Sequence, residues 1–275
     1  MHRSRPQAPP RLPSKRRWSP EPRTARTMSL APEVPWLIAG GFVAQLIDGC
    51  VGMGYGISSS ALLATLGVPP AVTSATVHAA EVVTAGVSSA SHAWFRNIDR
   101  RIFFSLLLPG VIGGVLGATL LAHVPAHAVR PFVWAYLLVT ALMVLSRVIL
   151  KRTPLNVGAQ GPALGGVAGF LDAIGGGGWG TIVTSTMIAR GVTPRFAIGT
   201  SNAVIFFVAL ATSVTLWLQL GTMRYDMVLA LLIGGAAAAP IAAWVTSCVP
   251  QRAVATAVGL VVFVLGATGL FTTLS

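Results

Sequence analysis

Two stretches, 48-DGCVGMGYG-56 and 172-DAIGGGGWG-180, decide how this chain is read. Both follow Asp-x-x-x-Gly-x-Gly-x-Gly, and both lie inside apolar runs of roughly 30 residues, where about 20 suffice to cross a bilayer as helix. The correspondence extends outward without a gap at an offset of 124: Gly67 falls on Gly191, Pro70 on Pro194 and Thr76 on Thr200. After one inserted residue, Val124-Pro125 falls on Val249-Pro250. Because an aspartate and a proline match as well as glycines, the reading is an ancestral duplication rather than chance likeness of two Gly-rich segments.

Composition sets the class. Of 275 residues 54% are hydrophobic, only 9% charged and 30 are glycine, and the mean hydropathy is +0.75. A soluble domain carries about 25% charged residues, so this chain cannot build a water-facing shell. Apolar segments recur at roughly 35–66, 71–95, 102–122, 131–150, 161–190, 194–219, 227–248 and 253–274. The expectation is an all-α polytopic membrane protein with about eight hydrophobic segments in two duplicated halves, 35–150 and 161–274, the first and fifth segments interrupted by glycine. Internal repeats of this kind mark secondary transporters, whose substrate sites lie near the midplane at the repeat interface. Two topologies remain open at this stage. If the long segments each cross once, the halves run parallel and both termini are cytoplasmic. If each is a re-entrant hairpin, the halves are inverted, and with an outside N-terminus only Arg130 and Arg224 of eleven body cations would lie outside.

The net charge of +12 invites a nucleic-acid reading, which position answers. Eight of the 19 basic residues lie in residues 1–27 with the single acid Glu21, so most of the excess is a Pro-, Arg- and Ser-rich tail too polar to fold. The tail reads as a disordered cytoplasmic arm or as sequence preceding a true start at Met28. Its prolines oppose the amphipathic helix of a transit peptide. The partners expected are a small anion and the lipid bilayer, with a homo-oligomer allowed and no nucleic acid. Cys50 and Cys248 form no metal-ligand or redox spacing, and neither a metal nor a cofactor is expected.

The glycine spacing resembles a dinucleotide loop, but that fingerprint belongs to a soluble strand–turn–helix unit. Inside a span, clustered glycines let the helix unwind, which is tolerated only in a protein-lined interior. Freed backbone N–H groups at a new helix start suit an anion. On this reasoning Gly52, Gly54, Gly56, Gly176, Gly178 and Gly180, with Ser58, Ser59, Ser60 and Thr181, are candidate anion-binding positions. Close helix packing through small residues is the competing use of the same glycines. Asp48 and Asp172 are costly in an apolar span and mark either a proton or cation relay or a cap on the unwound turn. His78 and Glu81, three apart on one helical face, correspond to Asn202 and Ile205 in the second half and therefore break the symmetry. They join the aspartates as candidate proton-coupling groups. Thr76, Thr200, Ser201 and Asn202 offer neutral hydroxyl and amide groups to the substrate.

The paired motif, together with 66-LGVPPAVTSATVHAAEV-82, 96-RNIDRR-101 and 169-GFLDAIGGGGWGTIVTSTMIARG-191, resembles the sulfite exporter TauE/SafE family, also called the 4-toluene sulfonate uptake family, over about residues 36–274. The resemblance implies a multi-pass inner-membrane transporter of sulfite, sulfonate or sulfoacetate type anions; the basic tail is not part of the family pattern. The function expected is alternating access coupled to an ion gradient. An anion channel is an alternative, as is an intramembrane hydrolase using Asp48 and Asp172, although no Gly-x-Gly-Asp or Gly-x-Ser-Gly order occurs.

Overall fold

The computed structural model describes residues 34–51, 54–149, 157–248 and 251–274, so the tail at 1–27 and Gly52 lie outside the described residues. Ten helices follow among them: α1 Val34–Val51, α2 Tyr55–Thr65, α3 Pro70–Trp94, α4 Arg100–His123, α5 Ala126–Ile149, α6 Val157–Gly175, α7 Gly180–Ala189, α8 Pro194–Leu220, α9 Tyr225–Cys248 and α10 Gln251–Leu274. No strand occurs among the described residues. The expected all-α polytopic architecture is observed. In that set α4, α8 and residues 126–143 of α5 are long and apolar enough to cross a membrane, and shorter apolar helices accompany them. The starts are written locally: Pro70 and Pro194 open α3 and α8, where the missing N–H costs nothing. The Asp99 carboxylate caps α4 by accepting from Ile102 N at 3.1 Å.

Both Gly-interrupted segments fold back on themselves. Arg190, just past α7, donates to the Gln160 side chain in the first turn of α6, so α7 has returned to the level where α6 began. In the other segment, a Cβ on Gly40 would strike the Leu62 side chain, and one on Gly54 would meet Ile47 at 2.7 Å. α1 and α2 therefore lie antiparallel. Each segment is a re-entrant hairpin rather than a single crossing.

The remaining contacts give the directions. Along α3 and α8, Ser89 Oγ donates to the Asn202 carbonyl at 2.8 Å and Asp99 N donates to Thr200 Oγ1 at 2.9 Å, placing the end of α3 beside the start of α8. These sequence-matched helices are antiparallel. So are α5 and α10, where Leu138 meets Gly266 and Trp134 meets Gly269. In each half the hairpin is gripped by the fourth helix of the other half, α6 by α4 and α1 by α9. These seams use glycine: Gly113 abuts the Gly166 carbonyl, Gly169 the Gly110 carbonyl and Gly234 the Ile38 carbonyl, each within about 2.5 Å of where a Cβ would stand. Close small-residue packing is thus a real use of the body's glycines, alongside the hairpin tips.

Two faces result. Face A carries the α3–α4 and α7–α8 turns and the start of α6; face B carries the α2–α3, α4–α5 and α8–α9 turns and the start of α1. Six helices run between the faces, and one hairpin enters from each.

Candidate functional site

The hairpin tips are built alike. Asp48 Oδ1 accepts from Tyr55 N at 3.4 Å, and Asp172 Oδ1 accepts from Trp179 N at 2.7 Å. Both bonds span seven residues and occupy matching positions, so each aspartate holds the first N–H of its returning helix. At the second tip Gly176, Gly177 and Gly178 have φ of 75°, 144° and 135°, a run closed to side-chain-bearing residues. This run lets the backbones of the two tips touch: a Cβ on Gly56 would lie 2.7 Å from Gly177 Cα. Two serines tie the second tip to the first half. Ser60 Oγ donates to the Gly176 carbonyl, and Ser74 Oγ donates to the Ala173 carbonyl at 2.6 Å.

Beside this contact lies an ionisable cluster. His78 Nε2 is 3.0 Å from Asp172 Oδ2, and both side chains are wholly buried. His78 Nδ1 lies 2.8 Å from the Ser74 carbonyl, which can only accept, so Nδ1 carries a proton. A second proton sits between Nε2 and Oδ2, whichever atom formally owns it. One ligand atom each from His78, Glu81 and Asp172 falls within 4.8 Å of the others. Glu81 Oε2 is buried with no hydrogen-bond partner, as are the Tyr136 and Tyr55 hydroxyls, Ser59 Oγ and Thr76 Oγ1. Buried polar atoms without partners are uncommon, and Glu81 Oε2, which lies within this cluster, leaves it with unfilled bonding capacity. The Tyr136 hydroxyl stands at Gly178, where a Cβ would come within 1.9 Å of it.

The sequence candidates divide accordingly. Asp172, His78 and Glu81 come together, with Gly56, Ser59, Ser60, Gly176 and Gly178 at or beside the tips, while Thr76 is buried on α3 with its hydroxyl unpartnered. Ser58 Oγ is buried and unpartnered, and Gly54 N-caps α2. Gly180 and Thr181 open α7 in a π-helical turn, Thr181 donating to the Gly178 carbonyl at 2.6 Å. Elsewhere, Thr200 holds Asp99 N, and the Asn202 amide donates to Ser88 Oγ at 2.8 Å. Both belong to the α3–α8 seam. Ser201 Oγ accepts from Trp179 Nε1 at 3.0 Å and from Thr184 Oγ1 at 2.6 Å, fixing α7 against α8. Tyr55, Ser74, Tyr136 and Trp179 also belong to the site, beyond the candidates the sequence offers. The aromatic in matching Gly-Tyr-Gly and Gly-Trp-Gly was the available signal for Tyr55 and Trp179; Tyr136 had none beyond being a polar ring in an apolar span.

Comparison with known proteins agrees with this architecture. The family described as sulfite exporter TauE/SafE matches residues 37–268. The chain is 41% identical over 215 residues to the probable membrane transporter protein YtnM of Bacillus subtilis (strain 168), covering 74% of this chain and 71% of that one. No solved structure matches.

Proposed function

The chain belongs to the sulfite exporter TauE/SafE family of membrane transporters, and on that premise we propose a secondary transporter that moves a small sulfur-containing anion together with protons. The observation that carries the coupling is the cluster itself. Three carboxylates, Asp48, Glu81 and Asp172, share one interior with a single histidine. Fully ionised, that interior holds a net charge of −2. An anion 5 Å from one uncompensated carboxylate is opposed by about 3 kcal/mol at an effective dielectric of 20, so the anion enters only with protons on the cluster. His78 and Asp172 hold one proton between them and Glu81 receives the next. Backbone N–H groups of the two tips, with the unpartnered Ser59 hydroxyl, bind the anion. Segments 35–150 and 161–274 act as inverted repeats, and the hairpins exchange access about their shared contact.

Orientation follows from charge. Arg96, Arg100, Arg101, Arg190 and Arg195 cluster at face A, against Arg130 and Arg224 at face B. The positive-inside tendency supports a cytoplasmic face A. The test is uptake of labelled sulfite or benzenesulfonate into proteoliposomes with and without a pH gradient. Gradient-dependent uptake in the parent, and gradient-independent counterflow retained in Glu81→Gln, are expected. Parent uptake indifferent to the gradient sinks the coupling.

A further inference from the structure

A cavity of about 760 Å³ opens at face B, away from the ionisable cluster. The end of α2 and the starts of α3 and α5 form its walls with the end of α10, and Ile174 and Gly175 of the second hairpin tip lie at its floor. Directly under that floor are the Ser74–Ala173 and Ser60–Gly176 hydrogen bonds. The cavity therefore ends on the tip that separates it from His78, Glu81 and Asp172.

Its chemistry is one-sided. Arg130 and His127 line it with Thr65, Thr73 and Thr268, and no carboxylate does among the described residues. Arg130 spends one Nη donor, at 3.4 Å, on the Gly67 carbonyl, out of the five donors a guanidinium carries. The repeat counterpart of Arg130, at the offset of 125, is Ala255, so the arginine is not part of the duplicated scaffold. One turn along α5 from Arg130 the lining turns apolar, with Val133 and Trp134 beside Leu265 of α10. The volume equals that of about 25 waters at roughly 30 Å³ each, far more than a bare inorganic oxyanion needs and within the range of pockets for organic ligands.

Resting on the transport reading above, we propose that this vestibule is an anion-recruiting subsite. Arg130 pairs with the sulfonate or equivalent oxyanion head, and the Trp134 wall receives an organic tail. The site thereby favours organic sulfonates over sulfite before either reaches the hairpin tips. A guanidinium paired with an oxyanion forms charge-assisted bonds whose loss costs about tenfold or more in affinity.

Calorimetric titration of the full chain in detergent tests this with three probes: benzenesulfonate, sulfite and the uncharged benzenesulfonamide. The expected order is benzenesulfonate about tenfold tighter than sulfite, with no binding of the sulfonamide. Arg130→Gln weakens benzenesulfonate about tenfold while Arg130→Lys largely restores it. His127→Glu, an exposed change that leaves Arg130 in place, weakens both anions. Unchanged benzenesulfonate binding in Arg130→Gln, or sulfonamide bound as well as sulfonate, overturns the inference. If sulfite flux persists in proteoliposomes alongside that result, only the vestibule falls. Arg130-dependent binding without flux of any anion sinks the transport reading and spares the vestibule.

Discussion

The contact between the hairpin tips makes a quantitative claim that substitution of Gly177 by alanine can test. A Cβ there would stand 2.4 Å from both Cα and C of Gly56, and the residue has φ of 144°. Neither neighbour is a side chain able to swing away. The backbone term for a side-chain-bearing residue in this region is about 1–3 kcal/mol, and forcing an extra carbon into a filled site adds about 1–3 kcal/mol. Together they give about 2–6 kcal/mol. Gly67→Ala is the matched control: its φ is 76°, but nothing lies within 4 Å of the added carbon, leaving about 1–2 kcal/mol of left-handed backbone cost. Gly56→Ala separates the two terms, because Gly56 lies in the first turn of α2, where alanine is favoured over glycine by about 1 kcal/mol. Any destabilisation there is the clash alone. Since both carbons intrude on one contact, the double variant should fall short of additivity by about 1 kcal/mol, as coupled neighbours do. Thermal unfolding in detergent, followed by circular dichroism, ranks the four proteins. Gly177→Ala melting together with Gly67→Ala, or a strictly additive double variant, would falsify the tip-to-tip contact.

Three further outcomes are expected. Asp172→Ala should destabilise by about 3–5 kcal/mol, because it strands buried His78 as well as the Trp179 N–H, while Asp48→Ala loses mainly a cap worth about 1 kcal/mol; equal melting losses would contradict that division. His78→Gln should keep anion binding by calorimetry yet lose stimulation of uptake by a pH gradient, and full stimulation in this variant removes His78 from the coupling path. For orientation, Ala126→Cys and Thr222→Cys at face B should react with a membrane-impermeant thiol reagent in intact cells. Asn97→Cys and Thr193→Cys at face A should react only after lysis, and the reverse pattern inverts the assignment.

Much of this arrangement was legible in the residues, and the rest was hidden for identifiable reasons. The offset of 124 located both hairpin tips and both aspartates, since a carboxylate in an apolar span is a strong local signal. Whether a segment crosses or turns back was not legible. Helix α6 alone has 19 residues, about 28 Å at 1.5 Å per residue, so length permits either path. Direction emerged only from contacts between distant elements, such as Arg190 with Gln160 and Asp99 with Thr200. Repeat correspondence also misdirects when matched residues acquire different neighbours. Thr76 Oγ1 is buried without a partner, whereas its counterpart Thr200 is committed to Asp99. Sequence alone assigns both the same role.

That divergence bears on how the molecule works. A strictly symmetric inverted repeat would place equivalent chemistry at both tips, making the states open to either face mirror images. Here Asp48 and Asp172 perform the same capping task, yet among the described residues only Asp172 has a histidine on its second oxygen. The counterparts of His78 and Glu81 are Asn202, held in the α3–α8 seam, and Ile205, which is apolar. The packing differs likewise, α4 resting on α8 more extensively than α9 on α3. The cavity at face B ends on the tip that bears Asp172. Moving the second hairpin therefore moves one end of the buried ion pair, because Asp172 travels with α6 and His78 stays on α3. Moving the first hairpin leaves that pair intact. On the proposed proton-coupled reading, proton exchange would be tied to the second hairpin, while the duplicated capping bond would keep both hairpins folded.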